Sequence, residues 1–288
     1  MGADVIAATL GILGLALLAS VVGYFLGHAL RPLTRVSLLA AVMLIASLYA
    51  SLLVGRLEMA SIAPLEAAIF ATNLTPILIL FSAGLAWTLP SLHPRGRQVR
   101  FISIAALSIL FFFAPLLRPW LRPVISDEAT RYDQGVCLQS HPATCGAAAA
   151  ATLLRSHGID VSERAMIQAC LTSSDGTEPL GLYRGLSSAT KFRNLTPNIA
   201  TSNNSHWKSL GQFPLVALVT FRHDMEPGPG SLRRILGREA DGHAVVVFDQ
   251  LASGDFLIGD PAVGRTVWDR STFGRRFCGQ AIYLARRR

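Results

Sequence analysis

The sequence predicts an all-α transmembrane helical region followed by an α+β domain, and three observations carry that prediction. Of its 288 residues 51% are hydrophobic, more than a soluble domain usually holds. The apolar excess ends near Leu117, and four stretches free of charged side chains lie before that point. Beyond it the composition is that of an ordinary globular domain, long enough for one hydrophobic core. This part carries an alanine-rich helix former and two adjacent strand patterns. The expected division is 1–123 for the helical region and 124–288 for the α+β domain.

A bilayer crossing needs about 20 apolar residues, within a range near 17–25. Val5 to Leu26, Val36 to Val54, Ala67 to Leu89 and Phe101 to Leu117 meet that need. The first lacks the basic flank and small-residue cleavage site of a signal peptide, so we read it as retained. Arg31 and Arg35 follow it, and Arg95, Arg97 and Arg100 precede the fourth. The positive-inside rule places both of these loops in the cytoplasm. Four crossings then put both termini outside. The expectation is a multi-pass protein of a bacterial plasma membrane with an extracytoplasmic globular domain.

Within this region Gly23 and Gly27 have the spacing that lets two helices approach closely. Asn73, Thr75 and Pro76 mark an expected kink with satisfied polar groups. No acidic or basic side chain sits at mid-membrane, so a transport pathway has little support. Arg118-Pro-Trp-Leu-Arg-Pro123 reads as the membrane exit, with an interfacial tryptophan, basic anchors and helix-stopping prolines.

The formal charge is +8, and Lys191 and Lys208 are the only lysines. No basic stripe is interleaved with aromatics, which excludes nucleic acid as a partner. The four cysteines, Cys137, Cys145, Cys170 and Cys278, lack the spacing of a zinc site. No metal or organic cofactor is expected.

Cys145 stands apart from the other three. Pro142 discourages helix before Thr144, and the run Ala147 to Ala151 favours it afterwards, up to Gly158. That leaves Cys145 at a helix N-terminus, where free N–H groups and the macrodipole favour a thiolate. Thr144 is a candidate cap, and Gly146 is expected to leave open space beside the sulfur. Cys137 is a weaker nucleophile candidate, because no glycine or helix start follows it. The other three cysteines read as buried thiols, or one pair as a disulfide.

Gly242 to Asp249 and Asp255 to Asp260 are strand patterns joined by Gln250-Leu-Ala-Ser-Gly254, a turn of hairpin length. If Asp249 pairs near Asp255, His243 faces residue 260 or 261. Asp260 then lies where a carboxylate can orient the imidazole and stabilise its protonated form.

On these residues the sequence resembles the bacteriocin-processing, double-glycine leader peptidases, a papain-like cysteine peptidase family. Gln139 six residues before Cys145-Gly146, Gly242-His243 with its valine-rich strand, and Gly259-Asp260-Pro-Ala-Val-Gly-Arg265 carry the resemblance, which spans Arg131 to Leu284. It implies that Cys145 is the nucleophile, His243 the general base and then acid, and Asp260 its orienting group. It implies that Gln139 and the Cys145 backbone N–H hold the oxyanion. Two departures bear on substrate preference. Thr144 stands where the family has an acidic residue, and Cys278 where it often has an aromatic one. A third concerns partners. The sequence contains no G-x-x-x-x-G-K-[ST] loop, so coupling to export needs a separate exporter.

The expected function is hydrolysis of peptide or protein substrates after small residues such as a Gly-Gly pair. Two other outcomes fit the same site. One is an inactive peptidase-like domain that binds leader-type peptides. The other is a thioester-forming acyl transferase.

Among the remaining residues, His141, His157, His206 and His223 are expected on the surface or in loops, and Asp241 in a turn. Pro179 to Lys191 is expected to form a second helix, Phe213 to Val219 a core strand, and Met225 to Gly230 a flexible excursion able to act as a lid.

Overall fold

The computed structural model describes residues 3–62, 73–90, 94–126, 129–201, 212–221 and 242–287. The chain divides into two compact units, Met1–Met59 with Ala63–Leu117, and Ala60–Ile62 with Arg118–Arg288.

The first unit is helical. Its elements are α1 (Ala3–Ala29), α2 (Pro32–Leu52), the short α3 (Met59–Ile62), which belongs to the second unit from Ala60 onward, α4 (Thr75–Trp87) and α5 (Pro94–Leu121), the last running on into the second unit. Two helices are long and apolar enough to cross a membrane, over Thr9–Ala29 and Pro32–Leu52. Two of the four expected spans therefore meet that test among the described residues. The third expected span begins in residues 63–72, outside the described residues, and α4 supplies only 13. The fourth lies on α5, whose first two turns hold Arg95, Arg97 and Arg100.

α1 packs against α4, and small residues allow it. A side chain at Gly23 would strike the Phe81 carbonyl, one at Gly27 would strike Thr88, and one at Gly84 would strike the Ser20 carbonyl. Gly23 thus marks a close approach of two backbones, whereas Gly27 makes room for the Thr88 side chain. On the outward side α1 and α2 present large apolar residues such as Leu10, Phe25 and Leu44. Where a kink is expected α4 begins, with Pro76 in its first turn; Asn73 Oδ1 accepts from Thr75 N at 3.2 Å, and the Pro76 carbonyl accepts from Ser108 Oγ at 3.0 Å.

The second unit is α+β. A small hairpin, β1 (Arg131–Asp133) and β2 (Val136–Leu138), turns at Gln134 and Gly135, with φ of 45° and 84°. Three helices follow: α6 (Cys145–Ser156), α7 (Glu163–Ala169) and α8 (Pro179–Thr190). α8 fulfils the expected second helix. The strands β3 (Leu195–Thr201), β4 (Leu215–Thr220), β5 (Gly242–Gln250), β6 (Phe256–Asp260), β7 (Gly264–Trp268) and β8 (Phe277–Arg286) form one antiparallel sheet. Its order is β3-β8-β4-β5-β6-β7, and α9 (Arg270–Arg276) lies between β7 and β8 in the chain.

The sheet is buried on both faces. Leu215, Val245, Val247, Phe256 and Ile258 pack with Phe273 of α9 and with Phe277. Their alternates Val216, Val246 and Ile282 are fully buried too, as period-two strands covered on both sides require. Helix α6 packs on β5 and β4. Its all-alanine stretch fits this place, since five buried methyl groups let the helix approach the strands closely.

The hairpin register departs from the expected one. Asp249 pairs with Leu257, and a bulge between Val247 and Asp249 then sets Val246 opposite Gly259. Continued to its end, that ladder places residue 262 opposite His243, so Asp260 is its diagonal neighbour on the same face.

Candidate active site

Cys145 is the first residue of α6, where the chain leaves the turn from Ser140 to Thr144. That turn is closed by its own bonds. The Thr144 hydroxyl donates to the His141 carbonyl at 2.8 Å and accepts from His141 N at 3.2 Å, and Ala143 N donates to His141 Nδ1 at 3.1 Å. Thr144 holds the cap position but makes no cap bond to the helix. Its hydroxyl is spent on the turn, so the first-turn N–H groups stay available to the sulfur. Gly146 does not border open space, because a Cβ there would lie 2.8 Å from the Thr177 side chain. The glycine serves a close approach of the helix start to the loop before α8.

The side chains of Cys145, His243 and Asp260 come together. His243 Nε2 bonds Asp260 Oδ1 at 2.8 Å. The imidazole is also hydrogen-bonded to the Cys145 thiol. Asp260 is 4% exposed, and its Oδ1 also accepts from Ala262 N at 2.9 Å. The carboxylate therefore has two donors that fix its orientation.

These contacts set the charges. Burial opposes the Cys145 thiolate, yet His243 and the N–H groups of Ala244 and Gly146 hold the thiol below its ordinary value. Burial also opposes the His243 cation, but its bonds to Asp260 and Cys145 raise it to about 9. Asp260 is held below the usual carboxylate range despite burial, chiefly by its bond to His243. Both shifts favour the thiolate–imidazolium form of the pair over the neutral one.

Gln139 joins this group through the backbone, its N–H donating to the Pro261 carbonyl at 2.8 Å. Its side-chain Oε1 is buried without a hydrogen-bond partner. It lines a cavity of about 230 Å³ with Leu138, Ser140, Glu163, Pro261 and Ala262.

All four cysteines are free, which removes the disulfide alternative. Cys137 and Cys170 are buried, and burial pushes both thiols up to about 12. Cys278 is exposed, contrary to the expected buried thiol, because it stands on the outward side of β8. His157 bonds the carbonyl of Leu153 at 3.0 Å. His206, His223, Asp241 and the excursion from Met225 to Gly230 lie outside the described residues.

Sequence reasoning missed three residues beside the pair. The Phe221 ring lies 5.0 Å from that of His243, and the Arg276 guanidinium sits over both Phe221 and Trp268. Only the sheet brings these segments together, so no local pattern pointed to them.

The fold and site define an α+β domain with a buried Cys–His–Asp hydrogen-bond chain opening at a helix N-terminus. No protein-family model matches the chain, and no curated protein matches it. Among solved structures it is similar to a double-glycine motif protease from an AMS/PCAT transporter in complex with the leader peptide. The identity is 21% over 57% of this chain and 99% of that one, with a TM-score of 0.41. It is also similar to the peptidase domain of Streptococcus ComA, a bi-functional ABC transporter involved in a quorum sensing pathway. There the identity is 20% over 52% of this chain and 96% of that one, with a TM-score of 0.40. The peptidase domain of Streptococcus mutans ComA gives 21% identity, 52% and 98% coverage and a TM-score of 0.36.

Proposed function

We propose that this chain is a membrane-anchored cysteine peptidase of the papain-like type, with Cys145, His243, Asp260 and Gln139 as its catalytic residues. The observation that carries the reading is the hydrogen-bond chain from the Cys145 thiol through His243 to the buried Asp260 carboxylate.

The Cys145 thiolate attacks the substrate carbonyl carbon, and the carbonyl electron pair moves onto oxygen. The Cys145 N–H and the Gln139 side-chain amide donate to that oxyanion. As the oxyanion collapses, the C–N bond breaks and the imidazolium of His243 protonates the leaving amine. The resulting thioester is then attacked by water, whose proton returns to His243. Collapse of the second oxyanion expels the thiolate and releases a carboxylate product. Asp260 keeps His243 in one tautomer and stabilises its cation.

The segments shared with the double-glycine leader peptidases point to cleavage after small residues, with Gly-Gly the first sequence to try. Helices α1 and α2 anchor the chain in a lipid bilayer with Arg31 and Arg35 on the cytoplasmic side. Two crossings or four place residues 124–288 on the extracytoplasmic side, where a separate exporter delivers substrate. A C-terminal topology reporter active only in the cytoplasm overturns that placement.

The decisive experiment incubates the full chain with a synthetic peptide containing a Gly-Gly junction. Cleavage with a thioester trapped on Cys145 is expected. Turnover unaffected by Cys145→Ser removes the assignment, and tight binding with no cleavage favours the inactive peptide-binding reading.

A further inference from the structure

His243 is flanked on one face of the sheet from both sides. On the β6 side stands Asp260. On the β4 side, Val219 pairs with His243, so Phe221, two residues further along, is the diagonal neighbour on the same face. The two rings meet at 5.0 Å between centroids with an interplanar angle of 49°. Phe221 follows the last residue of β4 and is 42% exposed, so β-ladder bonds do not hold its ring in place.

Arg276 holds it instead. Its guanidinium carbon lies 4.8 Å from the Phe221 centroid and 4.6 Å from that of Trp268, which is 7% exposed. The rings of Phe221 and Trp268 meet edge to face at 6.2 Å. Arg276 ends α9, a helix anchored at both ends. Asp269 accepts from Ser271 N and Thr272 N, each at 2.9 Å, and Phe273 and Phe277 stack at 5.3 Å. The Nε of Arg276 is buried without a hydrogen-bond partner among the described residues. Burying that donor unpaired costs free energy, which the two aromatic contacts offset.

We propose that Phe221, clamped by Arg276 against Trp268, is a positioning residue that fixes the His243 ring between Cys145 and Asp260. The inference rests on the proposed function. Among the described residues the ring's other contacts are its bonds to Asp260 and Cys145, and a loosened ring would release the thiolate partner. Among the described residues the charged or titratable groups around the imidazole are Cys145 from α6, Asp260 from β6 and, across Phe221, Arg276 from α9. The Arg276 charge also favours ionised Asp260.

The test measures alkylation of Cys145 by iodoacetamide against pH on the full chain, read at that residue by mass spectrometry, beside a thermal melt and peptide turnover. Phe221→Leu and Arg276→Met are expected to move the thiolate limb upward by about one unit, lowering alkylation on the acid side of that limb about tenfold. In turnover, kcat falls while KM holds. Phe221→Tyr and Arg276→Lys, which keep the stack, are expected to stay within about twofold of the parent. A Phe221→Leu profile identical to the parent overturns the inference. So does a Tyr variant that falls as far as Leu. Should Phe221→Leu unfold, Arg276→Met alone decides. His243→Ala separates the two readings. If the parent already alkylates like an ordinary thiol and His243→Ala changes nothing, the proposed function falls and this inference with it. If His243→Ala slows alkylation but Phe221→Leu does not, only this inference falls.

Discussion

Cys137 and Cys145 stand eight positions apart, are both buried, and are driven in opposite directions. Cys137 lies in β2, where burial and the nearby Glu163 charge push its thiol up to about 12. Cys145 lies at the start of α6, where burial acts in the same sense but is overcome. The imidazole of His243 and two backbone N–H groups face the sulfur. The difference teaches that a buried thiol becomes a nucleophile through the donors aimed at it, not through exposure. In β2 the backbone N–H of Cys137 is already committed to Thr152 Oγ at 2.8 Å. In the first turn of α6 the donors are still free.

That contrast can be broken or sharpened by experiment. The largest effect is expected from Cys145→Ser, which should lower peptide turnover by about 10⁴-fold or more. Comparable loss in Cys137→Ser would invert the assignment. Next comes His243→Ala, expected to cost about 10²–10⁴-fold in kcat and to bring Cys145 alkylation near neutral pH close to that of Cys137. Gln139→Ala should cost about 10²–10³-fold in kcat with KM little changed; a change in KM alone would make Gln139 a substrate-binding residue.

A pH series gives a smaller but directional effect. Cys145 is held low and His243 is raised to about 9. Turnover should therefore fall on the acid side as the thiolate is protonated. On the alkaline side the imidazolium loses its proton, and the rate one unit above that value should be about tenfold below the plateau. A profile still rising there would mean that no imidazolium takes part. The smallest effect is expected for Cys137→Ala, about 1 kcal/mol of stability with turnover unchanged, measured by thermal melts and initial rates.

The parts of this site that local chemistry dictates were legible in the sequence. Pro142 before an alanine run marks the start of α6, and a strand–turn–strand pattern brings His243 and Asp260 to one ribbon. The ribbon's register was not legible, because the bulge between Val247 and Asp249 adds a residue that no side-chain alternation announces. Thr144 looked like a cap, yet its hydroxyl serves the preceding turn, a choice made by backbone geometry at His141. Gly146 looked like an opening, yet Thr177 fills that space from a loop thirty-one positions away. β3 and β8, which pair from Leu195 with Arg286 onward, join segments too distant for a pattern to connect. In the first unit two of the four apolar stretches stand as helices long enough to cross a membrane among the described residues, and Gly23 marks a close backbone approach.

The backbone hydrogen bond from Gln139 N–H to the Pro261 carbonyl has a consequence for the coupling between distant substitutions. The group proposed to receive negative charge from substrate and the carboxylate segment that steadies the imidazole hang from one shared bond. Altering either will tilt the other. Changes at Gln139 and Asp260 should therefore combine non-additively in a double-mutant cycle, although the two positions lie over a hundred residues apart.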